Sequence, residues 1–254
     1  MGIVNVTPDS FSDGGRYVDP SAAIRHAARL VEEGADLLDI GGESTRPGAQ
    51  PVSIQAELDR VMPVLEGIHG LGVPVSVDTM KPEVMRAAVT AGAAMINDVY
   101  AFRAPGAWAA VRDSDCALCV MHMLGEPRTM QDAPHYDDVV AEVEAFLAER
   151  IASAEAAGIA RERLVVDPGF GFGKTLDHNI ALLRALPRLA RLAPVLAGMS
   201  RKRMIGALTG RDIQDRMAGS LAAALRAVDN GAAIVRVHDV RETVDALKVW
   251  QSTR

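Results

Sequence analysis

One unit recurs along this chain and restricts its fold more than any other feature. It is a helix-like segment closed by glycine, then a short apolar run, then a polar residue. Glu33-Gly34-Ala35 leads into Leu37-Leu38-Asp39, Ala91-Gly92-Ala93 into Met95-Ile96-Asn97, and Asn230-Gly231-Ala232 into Ile234-Val235-Arg236. Glycine suits the left-handed position that ends a helix, and apolar runs this short read as strands buried on both faces. Similar runs without the glycine lead-in finish at Asn5, Asp78, His122, Asp167 and Ser200, giving eight strands whose polar ends lie 19 to 45 residues apart. Between them the spacing is helical. From Tyr136 to Ala157, the residues Val139, Val143, Leu147, Ile151 and Ala154 keep one apolar face, and Asp137, Asp138, Glu142 and Glu144 fill the first turns. Strands alternating with helices require a parallel sheet. Eight of them in 254 residues predict one (β/α)8 TIM barrel, a single α/β domain over 1–254, rather than an open doubly wound sheet.

Charge and cysteine usage narrow the partners. Lys and Arg number 27 against 33 Asp and Glu, a net charge of −6, which argues against a nucleic-acid partner. The basic triplet Arg201-Lys202-Arg203 is long enough to hold only one small anion. No apolar run approaches the roughly 18 residues of a membrane span, and Met1 leads into an apolar run without a basic segment before it. No membrane association is therefore expected, and a cytoplasmic location is. Cys116 and Cys119 have C-x-x-C spacing, but they overlap the apolar run Ala117 to Val120. On a strand, residues three apart face opposite ways, so two reduced core thiols are expected rather than a shared metal or redox site.

In this barrel the active site lies at the C-terminal ends of the strands. Asn5, Asp39, Asp78, Asn97, His122, Asp167, Ser200 and Arg236 are thus expected to ring one mouth. The loop after strand 1, Asn5-Val6-Thr7-Pro8-Asp9-Ser10-Phe11-Ser12-Asp13-Gly14-Gly15, is rich in turn formers and reads as mobile. After strand 2, Gly41-Gly42-Glu43-Ser44-Thr45-Arg46-Pro47-Gly48 offers bare N–H groups, hydroxyls and a guanidinium to an anion. Strand 6 runs into Asp167-Pro168-Gly169-Phe170-Gly171-Phe172-Gly173-Lys174. Its glycines lack dinucleotide spacing, and Pro168 stands where a Walker A loop needs glycine. The alternation instead suggests a loop lying close to a ligand and presenting aromatic faces. Arg236 and His238, two apart on an extended segment, point the same way and suit a phosphate or diphosphate. Asp78 and Asp167 with Asn97 form a second polar set, able to bind a planar amidine-like edge such as that of guanine or a pterin. A metal-binding role for these carboxylates is the rival reading, with no compact ligand cluster beside them.

Eight segments in order closely resemble the dihydropteroate synthase family, from Met1 to about Lys248. They are the loop beginning at Asn5, the Gly41–Gly48 loop, Ser76-Val77-Asp78-Thr79, Ile96-Asn97-Asp98, Met121-His122-Met123, the Asp167–Lys174 loop, Gly198-Met199-Ser200-Arg201-Lys202 and Arg236-Val237-His238-Asp239. The resemblance implies a transferase of folate biosynthesis and a sulfonamide target. Such an enzyme joins 6-hydroxymethyl-7,8-dihydropterin diphosphate to 4-aminobenzoate, releasing diphosphate and 7,8-dihydropteroate. It further implies a pterin set of Asp78, Asn97, Asp167 and Lys202, and a diphosphate set of Asn5, Arg46, Arg236 and His238 with Mg²⁺ near Asn5. Phe11, Thr45, Arg46, Pro47, Phe172 and Ser200 would surround the aminobenzoate. The catalytic group would be Asp13, Lys202, Arg236 and His238, with Asp13 facing a transient pterin cation. A homodimer is expected on the same grounds.

Two rivals share the barrel. A pterin-binding methyltransfer domain would work with a corrinoid partner and have no need of Arg236 and His238 as a diphosphate pair. A non-catalytic paralogue would bind a pterin or serve as an assembly module, although complete first and second loops count against it. If the pterin and diphosphate pockets are separate, Arg236→Ala should cripple turnover and leave bare pterin binding largely intact. Family members usually carry a short N-terminal segment that covers the barrel bottom; this chain opens inside strand 1, so either a truncated start or an exposed barrel bottom is expected. Arg103, after Phe102 in the loop following strand 4, has no functional reading.

Overall fold

Every expected strand forms, and the alternation of its side chains separates two apolar layers. The structure is a computed structural model, described over residues 1–7, 19–45, 48–125, 129–131 and 133–253. The strands are β1 (Gly2–Asn5), β2 (Leu38–Gly41), β3 (Val75–Asp78), β4 (Met95–Asp98), β5 (Ala117–Met121), β6 (Leu164–Asp167), β7 (Val195–Ala197) and β8 (Ala232–Val235). They pair in parallel in sequence order. A parallel bridge from Gly2 to Val237 closes the ring: Ile3 N–H donates to Val237 O at 3.1 Å and Val237 N–H to Met1 O at 3.0 Å.

Side chains pointing out, among them Val4, Ile40, Val77, Ile96, Val120 and Val166, are wholly buried under the helices. The residues between them point in. Met95, Cys119, Val165 and Leu196 fill the barrel interior, with Met1, Leu37, Ala117 and Ile234 packed against them. Cys116 belongs to the outer layer and Cys119 to the inner one, and both are free thiols, as the strand geometry required. Above the plug the inward positions turn polar, and the mouth begins there.

The glycine lead-ins act as helix stops. Gly34, Gly92 and Gly231 follow the helices Pro20–Glu32, Pro82–Thr90 and Met217–Asp229 with φ of 98°, 89° and 92°. Asp19, Ser53, Asp138 and Thr175 cap helix starts, each accepting from a backbone N–H with its side chain. The expected helix from Tyr136 to Ala157 runs from Val139 to Ala156, because Asp138 leaves helical geometry to cap it and Tyr136 turns inward to bond Gly173 O at 2.8 Å. β2 also extends further than expected. Asp39 is its second residue and Gly41 its last. Among the described residues, no helix is long and apolar enough to cross a membrane.

Candidate active site

Asn5, Gly41, Asp78 and Asn97 share one register line across the first four strands. Glycine at position 41 leaves room between its neighbours: a Cβ there would lie 3.7 Å from Asn5 Oδ1 and 3.9 Å from Asp78 Oδ2. The amide and the carboxylate therefore flank one inward face of the mouth. Two residues down β2, on the line of Ile3 and Ser76, sits Asp39. It is fully buried and meets Arg236, which enters from just beyond β8. Arg236 Nε donates to Asp39 Oδ2 at 2.6 Å and Nη2 to Asp78 Oδ2 at 3.2 Å. Asn97 Nδ2 donates to the same Asp39 oxygen at 3.3 Å. Burial drives the Asp78 carboxyl well above its usual range and the Asp39 charge adds to this, with Arg236 opposing. Burial works against the guanidinium charge as well, but Asp39 and Asp78 hold Arg236 above its ordinary value. The expected separation of a diphosphate set from a pterin set is therefore incomplete. Arg236 touches Asp78, and one buried carboxylate ties it to Asn97.

Across the barrel, Asp167 closes β6. Its Oδ1 accepts from Gly169 N–H at 2.7 Å, and burial raises its pKa, with the charge of Lys202 opposing first. Lys202 Nζ donates to Phe170 O at 2.6 Å and stands 4.7 Å from the centre of the Phe172 ring. Burial lowers its pKa to about 8. Phe172 packs with Val99, Met121, Met123 and Met130, an apolar patch at the mouth. Ser200 and His238 are hydrogen-bonded, His238 Nδ1 lying 3.0 Å from Ser200 Oγ. A residue expected beside the aminobenzoate thus supports one expected at the diphosphate. Thr45 is half-buried in the loop after β2. Phe11 and Asp13 of the first loop and Arg46 and Pro47 of the second lie outside the described residues.

Several expectations change. His122 does not face the mouth with the others. Its ring is buried edge-on against Phe146, and Nδ1 lies 2.9 Å from Lys174 Nζ. Burial and the Lys174 charge push its pKa down to about 2, so it is a neutral structural group. Two glycines of the Asp167–Lys174 loop, Gly169 and Gly173, are required by packing within the protein, while Gly171 lies beside Lys202 with room for a Cβ. A Cβ at Gly169 would meet His122 O at 1.8 Å and one at Gly173 would meet the Leu124 side chain at 2.6 Å, and both residues have left-handed φ. Phe170 is likewise core rather than an exposed face. The Arg201-Lys202-Arg203 triplet is not one anion site: Arg201 pairs with Asp239, Lys202 faces Phe170 O, and Arg203 is exposed.

Other residues shape the mouth from behind. Asp98 is fully buried and accepts from Tyr100 N–H at 2.7 Å and Phe102 N–H at 2.6 Å. It holds a turn in which Ala101 and Phe102 have φ of 56° and 55°. Burial raises its pKa to about 7, these bonds opposing. Arg103 lies over the Tyr100 ring, 4.0 Å from its centre, and bonds Tyr100 O at 2.9 Å, which gives it a place in the same turn. Lys81 pairs with Glu43 and with Glu57, fastening the second loop to the helix Ile54–Ile68. Among the described residues, no group of three or more His, Cys, Asp or Glu could hold a metal ion. The Asn5 amide oxygen is a hard donor of the kind Mg²⁺ accepts when substrate phosphates and water supply its other ligands, so the residues present fit such an ion.

A family model described as pterin binding enzyme matches residues 1–238. The dihydropteroate synthase of Escherichia coli (strain K12) is 52% identical over 255 residues, covering all of this chain and 90% of its own length. The solved Xanthomonas albilineans dihydropteroate synthase with 4-aminobenzoic acid is 62% identical, with a TM-score of 0.94 and coverage of 100% and 92%. The same organism's enzyme in complex with 7,8-dihydropteroate is 58% identical, with a TM-score of 0.90 and the same coverage. The chain belongs to the pterin-binding enzyme family and, within it, to the dihydropteroate synthases, transferases of folate biosynthesis.

Proposed function

We propose that this chain joins 6-hydroxymethyl-7,8-dihydropterin diphosphate to 4-aminobenzoate by a dissociative displacement at the barrel mouth. The observation that carries the reading is Arg236, held at the mouth between Asp39 and Asp78, which supports a leaving-group cation beside a pterin-binding carboxylate. In this reading Asp78, Asn97, Asp167 and Lys202 hold the pterin. The carboxylates take its N–H groups, and Lys202 donates on the carbonyl side. Asn5, Arg46, Arg236 and His238 hold the diphosphate. Phe11, Thr45, Arg46, Pro47, Phe172 and Ser200 surround the aminobenzoate. The solved relatives with 4-aminobenzoic acid and with 7,8-dihydropteroate support these ligands for this chain.

The bond from the pterin methylene to the diphosphate oxygen breaks with its electrons leaving on the diphosphate. The methylene becomes a resonance-stabilised cation. Preorganised donors on the leaving group, Arg236 foremost, lower the barrel's barrier to this step. Mg²⁺, held by Asn5 and the substrate's own oxygens, would share the leaving group's negative charge. Asp13 is the proposed partner of that transient cation. The aminobenzoate amine then attacks the methylene carbon and loses a proton to give 7,8-dihydropteroate. That amine is a weak base and an adequate nucleophile, so no strong general base is required. Exclusion of water from the mouth protects the cation from capture. The proposal extends to a homodimer in the cytoplasm, as in the family resemblance.

Diphosphate release, followed on mixing the pterin diphosphate, 4-aminobenzoate and Mg²⁺, tests the reading. Release should match dihydropteroate formed, and without aminobenzoate it should not continue beyond a single turnover. Background release with all three present would contradict it, as expected of a methyltransfer domain or a binding-only paralogue.

A further inference from the structure

Asp39 has no assigned role in the reaction, yet its Oδ2 touches one residue of each proposed set, Arg236 at 2.6 Å and Asn97 at 3.3 Å. It lies two residues below the mouth in β2 and has no exposed surface, so it meets neither substrate. A carboxylate only accepts hydrogen bonds, and that fixes two orientations. The guanidinium is gripped by its Nε edge, which leaves the terminal nitrogens for other partners; in this structure Nη2 holds Asp78. The Asn97 amide turns its NH₂ toward Asp39. Its Oδ1, buried and without a hydrogen-bond partner, therefore faces the other way as an acceptor. The second oxygen of Asp39 and the hydroxyl of Ser76, its register neighbour, are also buried and unpartnered.

We propose that Asp39 is a positioning residue that serves both subsites at once, fixing the Arg236 guanidinium for the diphosphate and the acceptor face of Asn97 for the pterin. The inference rests on the site assignments proposed above. It adds a sequence of events within them. A bound pterin takes Asp78 with its own N–H groups, Arg236 Nη2 is released toward the diphosphate oxygens, and Nε stays on Asp39. The leaving-group cation is thereby made ready by the pterin itself, with no large side-chain movement.

Asp39→Asn removes the charge and places a competing NH₂ group against Arg236 or Asn97. Calorimetry with the bare pterin (no diphosphate) should show affinity about tenfold weaker, and kcat/KM for the pterin diphosphate should fall about a thousandfold. Combined with Arg236→Lys, the kcat/KM losses should amount to less than their product, because both disturb the Asp39–Arg236 contact. Asp39→Glu keeps a compensated buried charge and guards against a variant that fails to fold. Shifting the carboxylate by one methylene should still lower kcat by roughly thirtyfold. The proposal is overturned if Asp39→Glu stays within about threefold of the parent in both readouts, or if the Asp39→Asn and Arg236→Lys losses multiply as independent changes do. The pterin arm reads binding alone. It tests Asp39 even if the parent chain releases no diphosphate, an outcome that would count against the proposed function instead.

Discussion

Lys202 is a lysine whose charge is set by its surroundings. Burial lowers its pKa to about 8, with Asp167 opposing and Arg236 adding to the fall. The ammonium is therefore present below that value and lost as pH rises through it. A pterin carbonyl held by this donor makes kcat/KM for the pterin diphosphate fall about tenfold per pH unit above about pH 8. Lys202→Arg should shift that limb upward by at least two units at a lower absolute rate, since a guanidinium stays protonated. A parent profile flat to about pH 10 would take the Lys202 charge out of the mechanism. At this scale the sequence was informative for one class of residue. Asp78, Asn97, Asp167 and Arg236 stood out because each ends a short apolar run, and barrel strands deliver such residues to one mouth. Residues acting through partners were hidden, because Arg236 and Asp39 are 197 positions apart and Lys174 and His122 are 52 apart. Asp39 reads in the sequence as a strand-end residue, because Leu37-Leu38 before it resembles a whole run, whereas β2 continues to Gly41.

Elements show why the second loop can be both glycine-rich and ordered at its base. Glu57 is fully buried on the helix Ile54–Ile68, and Lys81, at the start of the helix Pro82–Thr90, bridges it to Glu43 of the loop. Half-burial works against the Lys81 charge, but bonds from Glu43 and Glu57 hold its pKa above the ordinary value. The stabilisation this provides is fully present below the ordinary lysine pKa and is lost as pH rises through the folded value. Lys81→Met would leave Glu57 charged and unpaired in the interior, at a cost of roughly 3–5 kcal/mol. It should also loosen the loop that carries Thr45. Urea unfolding should therefore report the stability loss, and KM for 4-aminobenzoate should rise while bare pterin affinity changes little. An unchanged urea midpoint would mean that the bridge contributes nothing to stability. Helix periodicity and glycine stops made these elements legible in outline. Their ends were less so, because capping by Asp138 and the inward turn of Tyr136 depend on loops distant in sequence. In sequence alone, the glycine alternation of the Asp167–Lys174 loop suggests room for a ligand, and at Gly169 and Gly173 packing supplies a second reason. That reason is the closeness of the loop that follows β5, which no local pattern records.

For the whole molecule, eight short apolar runs that end in polar residues specify the barrel, and the switch from apolar to polar inward positions specifies which end works. The net charge of −6 is compatible with a diphosphate site because Lys202 and Arg236 stand at the mouth whatever the overall balance. Arg236 is itself offset by Asp39 and Asp78, a balance invisible in the sequence, where it and His238 look like two exposed cations side by side. That balance alters what Arg236→Ala would report. Removing the guanidinium leaves two buried carboxylates facing each other, so lost stability and lost pterin affinity would be mixed with lost catalysis. Arg236→Lys is the cleaner change: it keeps the charge between Asp39 and Asp78 and loses the fork that can hold an anion while staying anchored. Turnover of the pterin diphosphate, measured beside calorimetric affinity for the bare pterin, tests the central claim of a leaving-group cation shared with the pterin pocket. The account predicts turnover at least about a hundredfold lower with bare pterin affinity within about threefold of the parent. Near-parental turnover, or equal loss of both, would contradict it.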